Sequence, residues 1–162
     1  MPEFKQTIAI ASDHAGFELK SELKQHLATL GFEALDLGTH SSSSVDYPDF
    51  ADRLAIALKE GRAQKGVLIC GTGIGIAMAA NRHRHLRAAV VHDATTARLT
   101  RLHNDANVLS LGARMHTAAD AIAFTQVFLA TPFSGEARHA RRLEMITDYE
   151  RSGDLPPLPG QE

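Results

Sequence analysis

Cys70-Gly71-Thr72-Gly73-Ile74-Gly75 joins the single cysteine of this chain to three glycines at alternate positions. The apolar run Val67-Leu68-Ile69 precedes it, and a small-residue run ending at Asn81 follows. The pattern reads as a buried strand, a tight glycine loop and a helix N-terminus. Glycines let the backbone turn sharply and approach a ligand, while the first amides of a helix point at whatever sits there. Such a loop cradles an anion, or an oxyanion that develops during a reaction. Cys70 adds a thiol at its lip, where a helix dipole favours negative charge. The plainer alternative is a tight turn beside a small, inert, buried thiol. Two nucleotide loops are excluded. No lysine follows Gly75 at the Walker A spacing, and Gly71, Gly73 and Gly75 form Gly-x-Gly-x-Gly rather than the dinucleotide fingerprint.

The elements that must position this loop alternate along the chain. Thr7–Ala11 reads as a buried strand ending at Ser12-Asp13-His14. A helix is expected over Ala15–Leu30, with Leu19, Leu23, Leu27 and Leu30 in one apolar stripe and Gly31 as its stop. Phe32–Leu37 reads as a second strand ending at Gly38-Thr39. The Ser41–Ser44 loop leads through Val45-Asp46-Tyr47-Pro48 into a helix over Asp49–Glu60, with Phe50, Leu54 and Leu58 inward. After the glycine loop, Leu86–Val91 reads as a strand ending at His92-Asp93. Asp93 then caps a helix through Thr96, Leu99 and Leu102, closed by His103-Asn104-Asp105. Asn107–Leu111 is the fifth strand, ending at Gly112-Ala113-Arg114. Thr117 with Asp120 resembles a capping box opening a helix to about Ala130. A charged amphipathic helix over Glu136–Arg151 places Leu143 and Ile146 on one side.

Strands alternating with helices imply an α/β fold, a three-layer doubly wound Rossmann-like arrangement around a five-stranded parallel sheet. The C-terminal ends of such strands share one edge, where ligands bind. That edge collects Asp13-His14, Gly38-Thr39, Cys70 with its loop, His92-Asp93 and Arg114. An acid, a thiol, imidazoles and an arginine beside an anion cradle suit catalysis on an anionic small molecule. His103 is different. A ten-residue helix rises about 1.5 Å per residue, so its far end lies roughly 15 Å from that edge. If His103 takes part in chemistry, it does so in a neighbouring subunit. Arg138 and Arg142 are four apart on one helix face and together suit a phosphate clamp, although a charge run is ordinarily a solvated face. His83 and His85 lack metal-site spacing, and no metal site is expected.

Composition narrows the class. At 162 residues, 44% of them hydrophobic and 22% charged, the chain suits one domain with a full core, set at residues 1–151. A net charge of −2 favours neither nucleic acid nor a membrane surface. The segment Met1–Gln6 is polar and only a short apolar run follows, so neither a signal peptide nor a membrane span is expected. With one cysteine, the chain suits a reducing compartment, and a cytoplasmic location is expected. The proline-bearing tail over residues 152–162 is expected to be disordered.

Several motifs stand in one order: Ser12-Asp13-His14-Ala15-Gly16-Phe17, Gly38-Thr39, Asp46-Tyr47-Pro48, Cys70 through Gly75, Ala79-Ala80-Asn81, Leu102 through Asn107, and Arg138-His139. Together they resemble the type B ribose-5-phosphate isomerase family, which also holds isomerases of galactose 6-phosphate, allose 6-phosphate and tetrose 4-phosphates. The resemblance covers about Thr7–Tyr149. It implies aldose–ketose isomerisation through a cis-enediolate without metal or cofactor. On matching positions, Cys70 would be the base moving a proton between C2 and C1. Thr72 and the loop amides of Gly71, Gly73 and Gly75 would stabilise the enediolate oxygen, while Asp13 and His103 would assist ring opening. His14, Arg114, Arg138 and Arg142 would hold the phosphate, with Tyr47 and Asn104 in the substrate pocket. Homodimers, or dimers of dimers, with sites between subunits are implied as well. The same chemistry on a four- or six-carbon sugar phosphate stays open, as does a non-catalytic sugar-phosphate sensor.

Overall fold

Strand and helix alternate almost without interruption in the computed structural model, which describes residues 5–155 and 157–160. The strands are β1 (Thr7–Ser12), β2 (Glu33–Asp36), β3 (Lys65–Cys70), β4 (Ala88–Val90) and β5 (Val108–Gly112). The helices are α1 (Phe17–Thr29), α2 (Tyr47–Lys59), α3 (Ile74–Ala80), α4 (Ala94–Asn104), α5 (Ala118–Ala130) and α6 (Ala137–Ser152). All strand pairs are parallel, in the order β2-β1-β3-β5-β4. β3 is central, with Leu68 opposite Ala11 on one side and Ser110 on the other.

The two-residue period of the strands sorts the core onto two faces. Ile8, Ile10, Val67, Ile69, Leu109 and Leu111 pack with Leu19, Leu23 and Leu27 of α1 and with Ala121, Phe124 and Phe128 of α5. Ala9, Ala11, Leu68, Cys70 and Val108 face the other way, against Phe50, Leu54 and Ala55 of α2 and Ile76 and Ala80 of α3. Small residues dominate this second face, so α2 comes close. A Cβ on Gly66 would lie 2.7 Å from a Leu54 methyl.

Several boundaries differ from expectation for local reasons. The first helix does not begin at Ala15. The Asp13 carboxylate accepts the amides of Ala15 and Gly16, tightening His14–Gly16 into a 3-10 turn ahead of α1. Leu30 falls beyond that helix and is 41% exposed, so the buried stripe is Leu19, Leu23 and Leu27. α2 starts two residues early, at Tyr47, because Pro48 suits the first turn. Asp93 does more than expected: it forms a complete capping box with Thr96. Thr117 receives the Asp120 amide at 3.2 Å, the first half of such a box. α6 runs through Ser152, and Ile146 is 48% exposed rather than packed on the core. Of the tail expected to be disordered, residues 156, 161 and 162 lie outside the described residues, as do residues 1–4 of the polar N-terminal segment.

One buried ion pair braces the edge of the sheet. Lys20 Nζ lies 2.8 and 2.9 Å from the Asp36 carboxylate oxygens, with side chains 2% and 13% exposed. Asp36 also accepts the Gly38 amide at 3.0 Å and Lys24 at 3.2 Å. Gly38 and Thr39 then exchange backbone bonds with Ser12, each of 2.8 Å, beside Asp13. Burial raises the Asp36 pKa, but the Lys20 hydrogen bond, the Gly38 amide and Lys24 outweigh it and hold the carboxyl below its ordinary value. A group lowered on folding stabilises above its unfolded pKa, and that stability is lost as pH falls through the folded one. Asp36→Asn should therefore cost roughly 3 kcal/mol in urea unfolding at about pH 7, with the gap from wild type shrinking below about pH 4. An equal gap at both pH values would show that ionisation of Asp36 contributes nothing.

Candidate functional site

The central strand ends at Cys70, and the register places Gly112 beside it on β5. Cys70 is buried, and its Sγ accepts the Gly73 amide at 3.1 Å. The loop turns at Gly73, whose φ of +80° is strained for any residue with a side chain. Sterics make the same demand, since a Cβ there would lie 2.9 Å from the Leu111 carbonyl carbon. The buried Ser110 hydroxyl donates to the Gly73 carbonyl at 2.6 Å and pins the turn from beneath. Sequence reasoning missed this serine. Its signal was a hydroxyl at a buried strand position between Leu109 and Leu111.

Not every loop amide is free to meet a ligand. The Gly73 amide serves Cys70, and the Ile74 amide donates to Thr72 Oγ1 at 3.2 Å. Because Thr72 accepts through its oxygen, its own hydroxyl proton is available to a ligand, and Thr72 is exposed. Among the described residues, the amides of Gly75 and Ile76 make no hydrogen bond and complete the donor set of the first turn. Gly71 and Gly75 leave room for large neighbours. A Cβ on Gly71 would lie 3.2 Å from Arg114 Nη1, and one on Gly75 would lie 2.7 Å from the Tyr47 ring. Arg114 thus covers one side of the loop and Tyr47 the other.

β1 delivers the acid next door. The Asp13 amide donates to the Ile69 carbonyl at 3.2 Å, which ties the end of β1 to the residue before Cys70. Asp13 is buried, and its Oδ1 is held by the Ala15 and Gly16 amides at 3.0 and 3.2 Å. Its Oδ2 takes no hydrogen bond among the described residues and remains an acceptor. His14 Nδ1 accepts the Val45 amide at 3.2 Å, leaving Nε2–H as its outward donor. Asp93, at the neighbouring strand end, is lowered in pKa chiefly by the Thr96 amide and hydroxyl that it caps.

The remaining expected residues form a second group. His103 and Asn104 end α4, the helix that starts at the β4 end of the rim and runs back for eleven residues. Eleven residues of helix span about 16 Å. There His103 stacks on His139 of α6, ring centroids 4.4 Å apart, and Arg138 lies beside them. Arg142 is exposed one turn further on. One chain therefore brings together Cys70, Gly71, Thr72, Gly73, Gly75, Asp13, His14, Tyr47 and Arg114, and holds His103, Asn104, Arg138 and Arg142 elsewhere. Among the described residues, no group of three or more His, Cys, Asp or Glu side chains is arranged to hold a metal ion, and no helix is long and apolar enough to cross a membrane.

Comparison with known proteins gives a consistent result. The family model described as Ribose/Galactose Isomerase matches residues 8–146. The chain is 42% identical to ribose-5-phosphate isomerase B of Escherichia coli over 144 residues, covering 89% of this chain and 96% of that protein. The structure of ribose-5-phosphate isomerase B from Clostridium thermocellum superposes with a TM-score of 0.89 at 43% identity, covering 92% of this chain and 100% of that one. The Mycoplasma genitalium enzyme with bound ribulose-5-phosphate superposes with a TM-score of 0.87 at 41% identity, over 93% and 99% of the two chains.

The turn at Gly73 can be tested directly. Gly73→Ala meets both a left-handed backbone and the Leu111 carbonyl, so it should cost about 1–3 kcal/mol and lower Tm by about 3–10 °C. An unchanged melting curve would mean that the loop tolerates another conformation.

Proposed function

Because the chain belongs to the ribose/galactose isomerase family, we propose that it interconverts ribose 5-phosphate and ribulose 5-phosphate through a cis-enediolate, with Cys70 as the base and with neither metal nor cofactor. The observation that carries this reading is the meeting, at the ends of two paired strands, of the Cys70 thiol, the Asp13 carboxylate and the glycine loop. A proton beside a carbonyl is weakly acidic, so the base must be close and the developing oxyanion must be stabilised. Cys70 as thiolate takes the proton from C2 of the open aldose and returns it to C1. The C2–H electron pair moves into the C1–C2 bond and charge gathers on O1. The hydroxyl proton then passes from O2 to O1, the pair returns to C1 as that carbon is reprotonated, and the carbonyl is left at C2. The Thr72 hydroxyl and the amides of Gly75 and Ile76 would meet the oxygen that gains charge, a role supported by the donors they leave unused. Asp13 Oδ2 is available to move a proton during ring opening.

The phosphate is remote from the chemistry, and its binding energy serves to position the sugar. His14 Nε2–H and Arg114 offer donors at the rim. Arg138 and Arg142, with His103 and Asn104, would come from a second copy of the chain, because α4 carries His103 and Asn104 away from their own rim and α6 sets the arginines beside them. The proposed assembly is a homodimer, or a dimer of dimers, with shared sites. On α6, Met145, Ile146 and Tyr149 are 50%, 48% and 48% exposed, a surface that suits such packing. The phosphorylated sugar is the proposed partner, and a cytoplasmic location is proposed from the single cysteine.

The deciding measurement is kcat/KM for ribose 5-phosphate beside allose 6-phosphate, galactose 6-phosphate and erythrulose 4-phosphate. Ribose 5-phosphate should dominate, and Cys70→Ala should lower kcat by about 10³-fold with an unchanged circular dichroism spectrum. Dominance of another sugar would change the substrate, and activity persisting without Cys70 would replace the base. Mixed subunits of Cys70→Ala and His103→Ala should regain activity, since one of the two sites in the mixed dimer then carries both intact groups. Verified mixed dimers that stay inactive would oppose the shared site.

A further inference from the structure

His139 is the only buried residue of α6 among the described residues, at 4% exposure on a helix that otherwise faces solvent. Its ring makes three contacts. Nδ1 lies 2.9 Å from Ser134 Oγ, Nε2 accepts from Arg138 Nε at 3.3 Å, and the ring face meets His103 at a tilt of 37°. These contacts assign the tautomer. A ring nitrogen that accepts a hydrogen bond carries no proton, so Arg138 makes Nε2 the bare nitrogen and the proton resides on Nδ1. Nδ1–H then donates to Ser134 Oγ, which also accepts the Glu136 amide at 3.2 Å. Both ring nitrogens are satisfied only while the ring is neutral.

The surroundings favour that neutral state. Burial pushes the His139 pKa below the ordinary imidazole value, and His103, Arg138 and Arg142 push the same way, with Glu136 opposing. His103 faces it from α4, Ser134 and Glu136 from the segment before α6, and the two arginines from α6 itself. Arg138 in addition pairs with Glu136 Oε2 through Nη2 at 3.2 Å.

We propose that His139 is a positioning residue that ties His103 and Arg138 into one preset unit, stacking on the imidazole of the first and fixing the guanidinium of the second through Nε. The proposal rests on the reading above, in which His103 and Arg138 act on the substrate. An arginine anchored at Nε by His139 and at Nη2 by Glu136 has its guanidinium plane already fixed, so less freedom is lost when a phosphate arrives. A stacked imidazole likewise meets a sugar ring in one orientation. His139 is too deeply covered to touch the sugar, and it acts through its two neighbours.

A double-mutant cycle on the intact enzyme with ribose 5-phosphate tests the coupling. His139→Ala should lower kcat/KM by about 10–100-fold, split between kcat through His103 and KM through Arg138. His103→Ala combined with His139→Ala should then have a kcat within about threefold of His103→Ala alone. Multiplicative losses would overturn the proposal. Imidazole ¹⁵N spectra of the whole protein read the same unit without turnover. They should show His139 as the neutral Nδ1–H tautomer at neutral pH, and Ser134→Ala should move the His103 resonances. A protonated or Nε2–H His139, or His103 resonances indifferent to Ser134→Ala, would overturn it. Ser134→Ala also serves if His139→Ala fails to fold. Should wild type leave ribose 5-phosphate unchanged, the function above fails, while the spectra still decide whether the unit exists.

Discussion

Between Cys70 and Ile74 the chain must turn from the central strand into a helix and still leave the thiol beside the opening. The buried hydrogen bond from Ser110 to the Gly73 carbonyl holds that turn. With the carbonyl drawn down, the Gly73 amide points back at Cys70 Sγ, and Ile74 reaches Thr72. Two side chains with candidate roles, Cys70 and Thr72, thus depend on one hydroxyl in the neighbouring strand. A serine at this position stays satisfied without water, which makes its burial tolerable.

The two faces of the sheet divide the labour. Branched residues from β1, β3 and β5 meet the leucines of α1 and the phenylalanines of α5, forming the larger apolar cluster. The opposite face is built of alanines, Leu68 and Cys70, and it admits α2 and α3 at close range. Close approach matters for the site because α2 begins with Tyr47, whose ring rests on Gly75. A bulkier face would lift Tyr47 off the loop. Cys70 belongs to this thin face by strand parity, and its burial follows from it.

Helix length imposes the other constraint. α4 leaves the rim at Asp93 and cannot return to it, so His103 and Asn104 are delivered to the far side. α6 crosses near that end, where the Ser134 amide bonds the Leu102 carbonyl at 3.2 Å, and brings Arg138 and His139 against His103. Each chain therefore carries two partial constellations. One holds a thiol, an acid and donors, and the other holds imidazoles and arginines. Their separation within one chain is the physical reason for proposing that two copies share each site.

Much of this was legible in the amino-acid order. The apolar strands, the glycine stop at Gly31, the caps at Asp93 and Thr117 and the strand–glycine–helix pattern at Cys70 are local signals. Local chemistry decides them, and the parallel sheet with its shared edge follows from their alternation. Even the separation of His103 from the rim came from counting residues in a helix. Tertiary structure alone decided the rest. Ser110 beneath Gly73, Arg114 over Gly71 and Tyr47 over Gly75 depend on strand order and on the closeness of packed layers, which no window of sequence contains. The Asp13 carboxylate redirected the first helical turn by capping it, and Pro48, whose fixed φ suits a first turn, accompanies the earlier start of α2. In the sequence, His139 stood only as the neighbour of Arg138 on a charged helix. Only the packing of α6 on α4 buried it, against His103, Ser134 and Arg138, because that contact joins elements distant in the chain.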